Sequence, residues 1–278
     1  MENLNINYDK TVSNATVSMI SAGAILVISV LIVLLVLVIK RWKGRFIPLA
    51  LGVLSYVVFG FMFSQLLMSV LSLIPNVDQS FTYNTNAYVV IYNILLAAGF
   101  GIARWFTAKM MTDRYNRTGD VLMAGTGLAI GDTVITYALS MFTFFVYAQA
   151  ISANGLEKFI SDMFNSGMAE SDVITLYTSN VSQLIDSPAI LWFLMAVSAV
   201  LDIALNIMLF MVVYGVVKKQ VNYMYAYYAI IAQFVSNIMF QLYNAFSLTN
   251  IIVLFIVKLV IVGGIALFLS LIHISEPT

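Results

Sequence analysis

The sequence contains no cysteine, and charged residues occupy only 9% of its 278 positions. The absence of cysteine excludes disulfides, thiol nucleophiles and thiolate metal ligands. A soluble globular domain carries about 25% charged residues, so a chain that is 62% hydrophobic is predicted to be an all-α polytopic membrane protein. Because the net charge is zero and no long basic run occurs, nucleic-acid binding has no support.

The chain has a single histidine, His273, and this residue lies in an atypical C-terminal segment. Residues 269–278 look like the in-frame translation of a sequencing-library adapter and do not belong to the predicted transmembrane domain. We therefore expect the natural sequence to differ beyond about residue 268. The rest of the chain then has no imidazole to act as a metal ligand, a base or a pH switch.

Seven apolar stretches are long enough to cross a hydrocarbon core of ~30 Å at ~1.5 Å per residue. They predict a single transmembrane domain over residues 1–268, with spans at about 19–39, 46–74, 87–111, 121–150, 188–217, 223–243 and 250–268. The longest connection, residues 152–187, is acidic. Its Leu156, Phe159 and Ile160 recur at helical spacing, which predicts a short amphipathic helix on the membrane surface.

The cations predict an orientation in the cell membrane. Nine of them fall on alternate connections on one side, and only Lys10 and Lys158 fall on the other. The positive-inside rule therefore predicts an outside N-terminus, a cytoplasmic C-terminus and an outward-facing 152–187 loop. The nine cations are Lys40, Arg41, Lys43, Arg45, Lys109, Arg114, Arg117, Lys218 and Lys219.

Polar groups recur at one depth in three successive spans. Asp132, Asp202 and Gln233 lie ~18, ~22 and ~20 Å from the predicted cytoplasmic ends of spans four, five and six. Because polar side chains in a bilayer face the bundle interior and pair with one another, we predict a buried polar cluster between helices three to six. Its members are Arg104, Asp132, Asp202, Asn206, Gln233 and Asn237.

Two further features accompany the predicted cluster. The glycines that precede Asp132, in the stretch Gly125–Asp132, would let another backbone or a ligand come close. Lys258, in span seven, is interpreted as a cation that snorkels to the membrane interface. The amides of Asn206, Gln233 and Asn237 are also compatible with simple inter-helix hydrogen bonding.

At these positions the chain resembles the YhfC-type intramembrane metalloproteases, a family of bacterial multi-helix membrane proteins. Phe100 to Arg104 is similar to a Glu-Glu-x-x-Arg signature that has lost both glutamates. The stretch from Gly125 to Asp132 resembles Gly-x-Gly-His-Gly-Gly-x-Glu, with Leu128 at the histidine position and Asp132 at the glutamate position. Asp202 stands where a histidine is expected, and Gln233 with Asn237 replaces a His-x-x-x-Asp pair.

The resemblance implies zinc and intramembrane proteolysis, but the ligands are largely missing. A catalytic zinc needs about three protein ligands and an open position for water. The candidate metal ligands here are Asp132, Asp202, Gln233 and Asn237, an all-oxygen set that suits Mg²⁺, Mn²⁺ or a monovalent cation better than zinc. We therefore expect no cofactor. We predict a pseudoenzyme or altered relative that binds a membrane protein or a membrane peptide within the lipid bilayer.

Other functions stay open at this point. The candidate catalytic residues Asp132 and Asp202 could retain a metal-dependent activity or share a proton as in an aspartyl intramembrane protease. Neither candidate aspartate lies in the Tyr-Asp or Gly-x-Gly-Asp motif of that second class, since Gly131 and, two residues earlier, Ala129 precede Asp132 and Leu201 precedes Asp202. The alternative outside enzymology is an ion- or proton-coupled membrane transporter that uses the two aspartates, although no internal repeat is evident.

Overall fold

A computed structural model describes residues 8–73, 86–111, 114–245 and 251–275 of the chain, without the side chains of residues 86, 239–245, 251–254 and 268–275. The described residues are helical or form the turns between helices, and no strand occurs among them. This confirms the predicted all-α membrane architecture.

Within the described part of the chain, five helical runs are long and apolar enough to cross a membrane. The first is α1, Asn14–Trp42, and the second joins α2 (Phe46–Ser55) and α3 (Phe63–Ser72) through a π-helical segment at Tyr56–Met62. The third is α4, Asn86–Met111, and the fourth joins α5 (Thr118–Asp132) and α6 (Leu139–Asn154) through a π-helical segment at Thr133–Ala138.

The remaining helices complete the predicted order of elements. The connection after α6 contains α7 (Leu156–Asn165), α8 (Glu170–Leu176), a π-helical segment (Tyr177–Val181) and α9 (Ser182–Asp186). The fifth long run is α10, Ala189–Val217. Apolar helices α11 (Met224–Ala245) and α12 (Ile251–Ser275) stand at the sixth and seventh predicted spans.

The chain forms two compact units. One comprises Met1–Ser29 with Ile135–Val197, and the other comprises Val30–Val134 with Ser198–Thr278. All six residues of the predicted polar cluster belong to the second unit.

In the first unit, the apolar face of α7 packs against α6. Leu156, Phe159 and Ile160 are buried, and the ring of Phe159 meets Tyr147 of α6 edge-on at 5.4 Å between centroids. The turn before α7 is possible because Gly155 adopts φ 85°, a left-handed conformation that favours glycine. Residues 156–165 therefore form the predicted amphipathic helix, whose apolar side contacts α6, and its place on the membrane surface stays a prediction.

In the second unit, small residues bring α2 and α5 into close contact. An ideal Cβ at Gly127 would lie 2.1 Å from the carbonyl oxygen of Leu49, and one at Gly52 would lie 2.3 Å from the carbonyl oxygen of Ala124. A Cβ at Gly125 would lie 3.0 Å from Cα of Ile207 in α10. The glycines before Asp132 therefore admit neighbouring helix backbones, which is the way small residues act at helix contacts in membranes.

Candidate functional site

Arg104 of α4 is fully buried and holds the centre of a polar network in the second unit. Its Nη2 donates a hydrogen bond to Oδ1 of Asn206 at 2.6 Å and another to Oε1 of Gln233. The guanidinium also lies over the ring of Phe100, 5.0 Å from the centroid. A single guanidinium nitrogen thus joins α4 to α10 and α11.

The network extends from Asn206 and Gln233 in both directions. The Nδ2 of Asn206 donates to Oδ2 of Asp132 at 2.9 Å, and the Nε2 of Gln233 donates to Oδ1 of Asn237 at 2.7 Å. Each amide therefore accepts from Arg104 and donates to a second partner. We call these five residues, Asp132, Asn206, Arg104, Gln233 and Asn237, the arginine network.

Asp132 also lies beside Tyr56, a residue that the sequence reasoning did not single out. Tyr56 is fully buried, stacks obliquely on Phe100 at 5.0 Å between centroids, and interacts electrostatically with Asp132. A Cβ at Gly131 would lie 2.9 Å from Cδ1 of Tyr56, so the small residue before Asp132 makes room for this ring. Two of the three π-helical segments described begin at Tyr56 and at Thr133, and such segments occur frequently at functional sites.

Asp202 belongs to a different hydrogen-bonded group. Its Oδ2 pairs with Nζ of Lys258 of α12 at 2.6 Å, and its Oδ1 accepts from Ser236 of α11 at 3.3 Å. Lys258 also donates to the hydroxyl of Ser198 at 2.6 Å. We call Ser198, Asp202, Ser236 and Lys258 the lysine network.

The interpretation of Lys258 as a snorkelling cation was wrong. The residue is only 2% exposed and points at a carboxylate within the protein. A charged group in a membrane span is rare and pairs with another charge when it occurs, so the presence of an aspartate, Asp202, within another span was the signal that could have predicted this pair. Ser198 and Ser236 carry no comparable signal, because serine is frequent at helix contacts in membranes.

The residues of the two networks do not suit zinc. Among the described residues, no three His, Cys, Asp or Glu side chains lie close enough together to hold a metal ion. The oxygen atoms that face inward already accept hydrogen bonds: Asn206 and Gln233 accept from Arg104, and Asp132 accepts from Asn206. A metal at this point would have to approach a permanently charged guanidinium.

The family of the chain follows from comparison with known proteins. A family model described as YhfC intramembrane metalloprotease matches residues 25–258. The chain belongs to this family. The match includes all residues of the arginine and lysine networks. No curated protein and no solved structure matches the chain.

In this YhfC-family chain, the positions where the resemblance places metal-binding residues have other roles. Leu128, at a histidine position, is a fully buried apolar residue. Asp202, at another histidine position, is paired with Lys258. Gln233 and Asn237 are hydrogen-bonded to each other and, through Gln233, to Arg104. These contacts hold α4, α5, α10, α11 and α12 together through polar side chains.

Proposed function

We propose that this YhfC-family membrane protein is a non-catalytic member that binds a membrane-spanning segment of a partner protein at the arginine network. The observation that carries the proposal is the position of Arg104. Its guanidinium meets the two amide oxygens that would otherwise be available to a metal ion. Because arginine stays charged under all ordinary conditions, it is a built-in cation at this point of the fold.

The balance of charge supports a non-catalytic role. The positive charge of Arg104 is attracted by Asp132, with Asn206 as the bridge, and Lys258 neutralises Asp202 directly. A pair of carboxylates that shares a proton needs both acids in one place with no strong cation between them. Here each aspartate belongs to its own network with its own cation, which disfavours an aspartyl dyad.

Unused hydrogen-bond donors support the binding of a partner. In the described part of the chain, Nε and Nη1 of Arg104 and Nδ2 of Asn237 have no acceptor, although all three are buried. A buried donor without an acceptor costs about 1–3 kcal/mol. Since the network is already neutral, a neutral acceptor suits it better than an anion. The carbonyl of a kinked membrane helix is such an acceptor, and it too lacks a partner in hydrocarbon.

The first test measures the zinc content of the protein and its cleavage of membrane-anchored substrates. The purified protein, reconstituted in vesicles with membrane-anchored reporter substrates, is expected to carry no stoichiometric zinc and to show no cleavage with added zinc or with a chelator. Its Tm is expected to be the same in both conditions. Chelator-sensitive cleavage that Asp132→Asn abolishes would overturn the proposal, and ion-dependent flux across the vesicles would favour a transporter.

A variant without the positive charge of Arg104 complements the metal test. Arg104→Leu leaves Asp132 without a counter-charge and two buried amides without a donor, so we expect a loss of about 3 kcal/mol in the free energy of unfolding. Mg²⁺ or Mn²⁺ is expected to recover part of that loss, because the freed ligands are all oxygen atoms. Arg41→Leu, at an exposed arginine at the end of α1, is the control.

The second test measures binding of a membrane segment. The probe is a synthetic single-span peptide whose central proline exposes a carbonyl, compared with the same peptide with alanine in place of proline. Fluorescence transfer in vesicles is expected to show about tenfold tighter binding of the proline peptide, which corresponds to about 1.4 kcal/mol. Asn237→Leu is expected to reduce that difference. Equal binding of both peptides would contradict the role of the unused donors.

A further inference from the structure

Two basic loops at one end of the second unit have no part in the proposed function. The first comprises the end of α1, with Lys40 and Arg41, and the connection to α2, with Lys43; the second precedes α5 and contains Arg114 and Arg117. All five side chains are exposed. We call these five residues the basic platform.

Arg45 fixes the two loops to each other. Its Nη2 and Nε donate to Oδ2 and Oδ1 of the buried Asp120 at 2.5 and 2.9 Å, and Nη2 also donates to the carbonyl oxygen of Arg114 at 3.1 Å. The guanidinium lies 4.5 Å from the ring centroid of Tyr115. The hydrogen bond to Asp120 raises the pKa of Arg45 above its ordinary value, so this residue stays charged. A bidentate arginine–carboxylate pair is geometrically specific, and the loops therefore form one surface.

The backbone strengthens this connection. A Cβ at Gly119 would lie 2.1 Å from the carbonyl oxygen of Trp42, so the start of α5 lies directly against the end of α1. Lys43 adopts φ 53°, a conformation uncommon for a residue with a side chain. The loop that contains Lys43 thus has a defined course between α1 and α2.

The basic platform carries an uncompensated positive charge. Asp120 is paired with Arg45, which is not one of the platform residues. In the described part of the chain, none of the five platform residues forms an ion pair. The sequence places Asp113, whose structure is not described, next to Arg114, and its negative charge lowers the net positive charge of the second loop by one. A surplus of cations at one place attracts anions, and the attraction increases with the number of cations.

Apolar side chains beside the platform indicate which anion it meets. Trp42, Phe46 and Ile47 are exposed next to the basic residues, at the ends of two helices that are apolar enough to span a membrane. Exposed aromatic and aliphatic side chains at such a level contact the boundary between headgroups and acyl chains. A phosphate group attached to acyl chains therefore fits both parts of the surface, whereas a free phosphate fits only the charged part.

We infer that the basic platform binds the headgroup phosphate of an anionic phospholipid, with Trp42, Phe46 and Ile47 against the acyl chains. The five cations attract the phosphate group, and the Arg45–Asp120 pair holds the two loops next to each other so that both can contact it. Binding of this kind is independent of the arginine network and of the proposed partner.

The experiment compares thermal unfolding of the whole protein in neutral detergent with added phosphatidylglycerol, with the same mole fraction of phosphatidylcholine, and with inorganic phosphate. A rise in Tm is expected with phosphatidylglycerol and not with the other two, because a ligand that binds the folded state stabilises it. Equal effects of phosphatidylglycerol and phosphatidylcholine, or of phosphatidylglycerol and inorganic phosphate, would reject the inference.

A pair of variants with equal loss of charge locates the site. The triple variant Lys43→Gln, Arg114→Gln and Arg117→Gln is expected to lose more than half of the shift caused by phosphatidylglycerol. The control triple variant Lys109→Gln, Lys218→Gln and Lys219→Gln is expected to keep it. If both triple variants lose the shift equally, the effect is one of overall charge and the platform is rejected.

Single variants cover the case in which a triple variant does not fold. Lys43→Gln and Arg117→Gln each remove one exposed cation and leave the Arg45–Asp120 pair intact. Each is expected to reduce the shift and to lower the amount of phosphatidylglycerol that co-purifies, measured by mass spectrometry. An unchanged shift in both single variants would overturn the inference.

Discussion

The buried charged residues described in the second unit are each balanced by a group from another part of the chain. Arg104 reaches Asp132 through the amide of Asn206, Lys258 pairs with Asp202, and Arg45 pairs with Asp120. An ion in a medium of low dielectric constant is tolerated only when its charge and its hydrogen bonds are satisfied. These contacts therefore explain how a strongly apolar chain accommodates the ionised groups within its helices.

The lysine network permits a test by double-mutant cycle. Lys258→Met and Asp202→Leu each leave one buried charge without its partner, and each is expected to lower the free energy of unfolding by about 2 kcal/mol. This is below the about 3–5 kcal/mol for a fully buried pair, because 25% of the Asp202 side chain is exposed.

The double variant removes both charges and is expected to be more stable than either single variant. Unfolding in mixed micelles with increasing denaturing detergent measures all four proteins. Additive losses would show that the two side chains do not depend on each other. The exposed pair of Lys10 and Asp186, 2.6 Å apart in the first unit, is a control for which the same cycle should give a much smaller coupling.

At the scale of elements, the contact between α2 and α5 determines where Asp132 lies. Gly52 and Gly127 permit a backbone-to-backbone approach, and Gly131 accommodates the ring of Tyr56. Asp132 directly follows this glycine-rich face and precedes a π-helical segment. The position of the candidate site therefore depends on helix packing as much as on the polar residues themselves.

Alanine substitutions at two glycines distinguish the effect of helix packing on stability from the effect of helix propensity. Gly127→Ala would place a methyl group against the Leu49 carbonyl, so we expect a loss of about 1–3 kcal/mol from overpacking. Gly263→Ala has no atom within 4 Å of the new methyl group, so we expect a gain of up to about 1 kcal/mol from the greater helix propensity of alanine. Thermal unfolding of both variants measures the difference, and equal effects would contradict the packing role of Gly127.

At the scale of the whole molecule, the distribution of charge predicts the orientation of the chain in the membrane. The connections that contain the basic platform and Lys218 carry most of the cations, whereas the region of α7 to α9 is acidic. We therefore expect the platform on the cytoplasmic side and α7 on the outside.

The absence of natural cysteine makes this orientation simple to measure. Lys43→Cys and Asn165→Cys each introduce a single thiol at an exposed position. A membrane-impermeant maleimide is expected to label Asn165→Cys in intact cells and Lys43→Cys only after permeabilisation. The reverse pattern would contradict the predicted orientation.

The sequence by itself determined the helical membrane class and the family, and it predicts the depth of the polar residues. Long apolar stretches predict spans because a helix rises by a constant ~1.5 Å per residue, and α4 at Asn86–Met111 differs from its predicted span by one residue. Counting along each span also placed Asp132, Asp202 and Gln233 at similar depths. These properties depend on one helix at a time.

Only the tertiary structure decided which polar residues meet. In the structure, Arg104 donates hydrogen bonds to Asn206 and Gln233, and Asp202 forms an ion pair with Lys258. Partner choice depends on the rotation of each helix and on the order of its neighbours, and both follow from close contacts such as Gly127 against Leu49. The π-helical segments change that rotation within a span. Residue counting cannot supply this information, because it gives a depth along the helix and not the direction in which a side chain points.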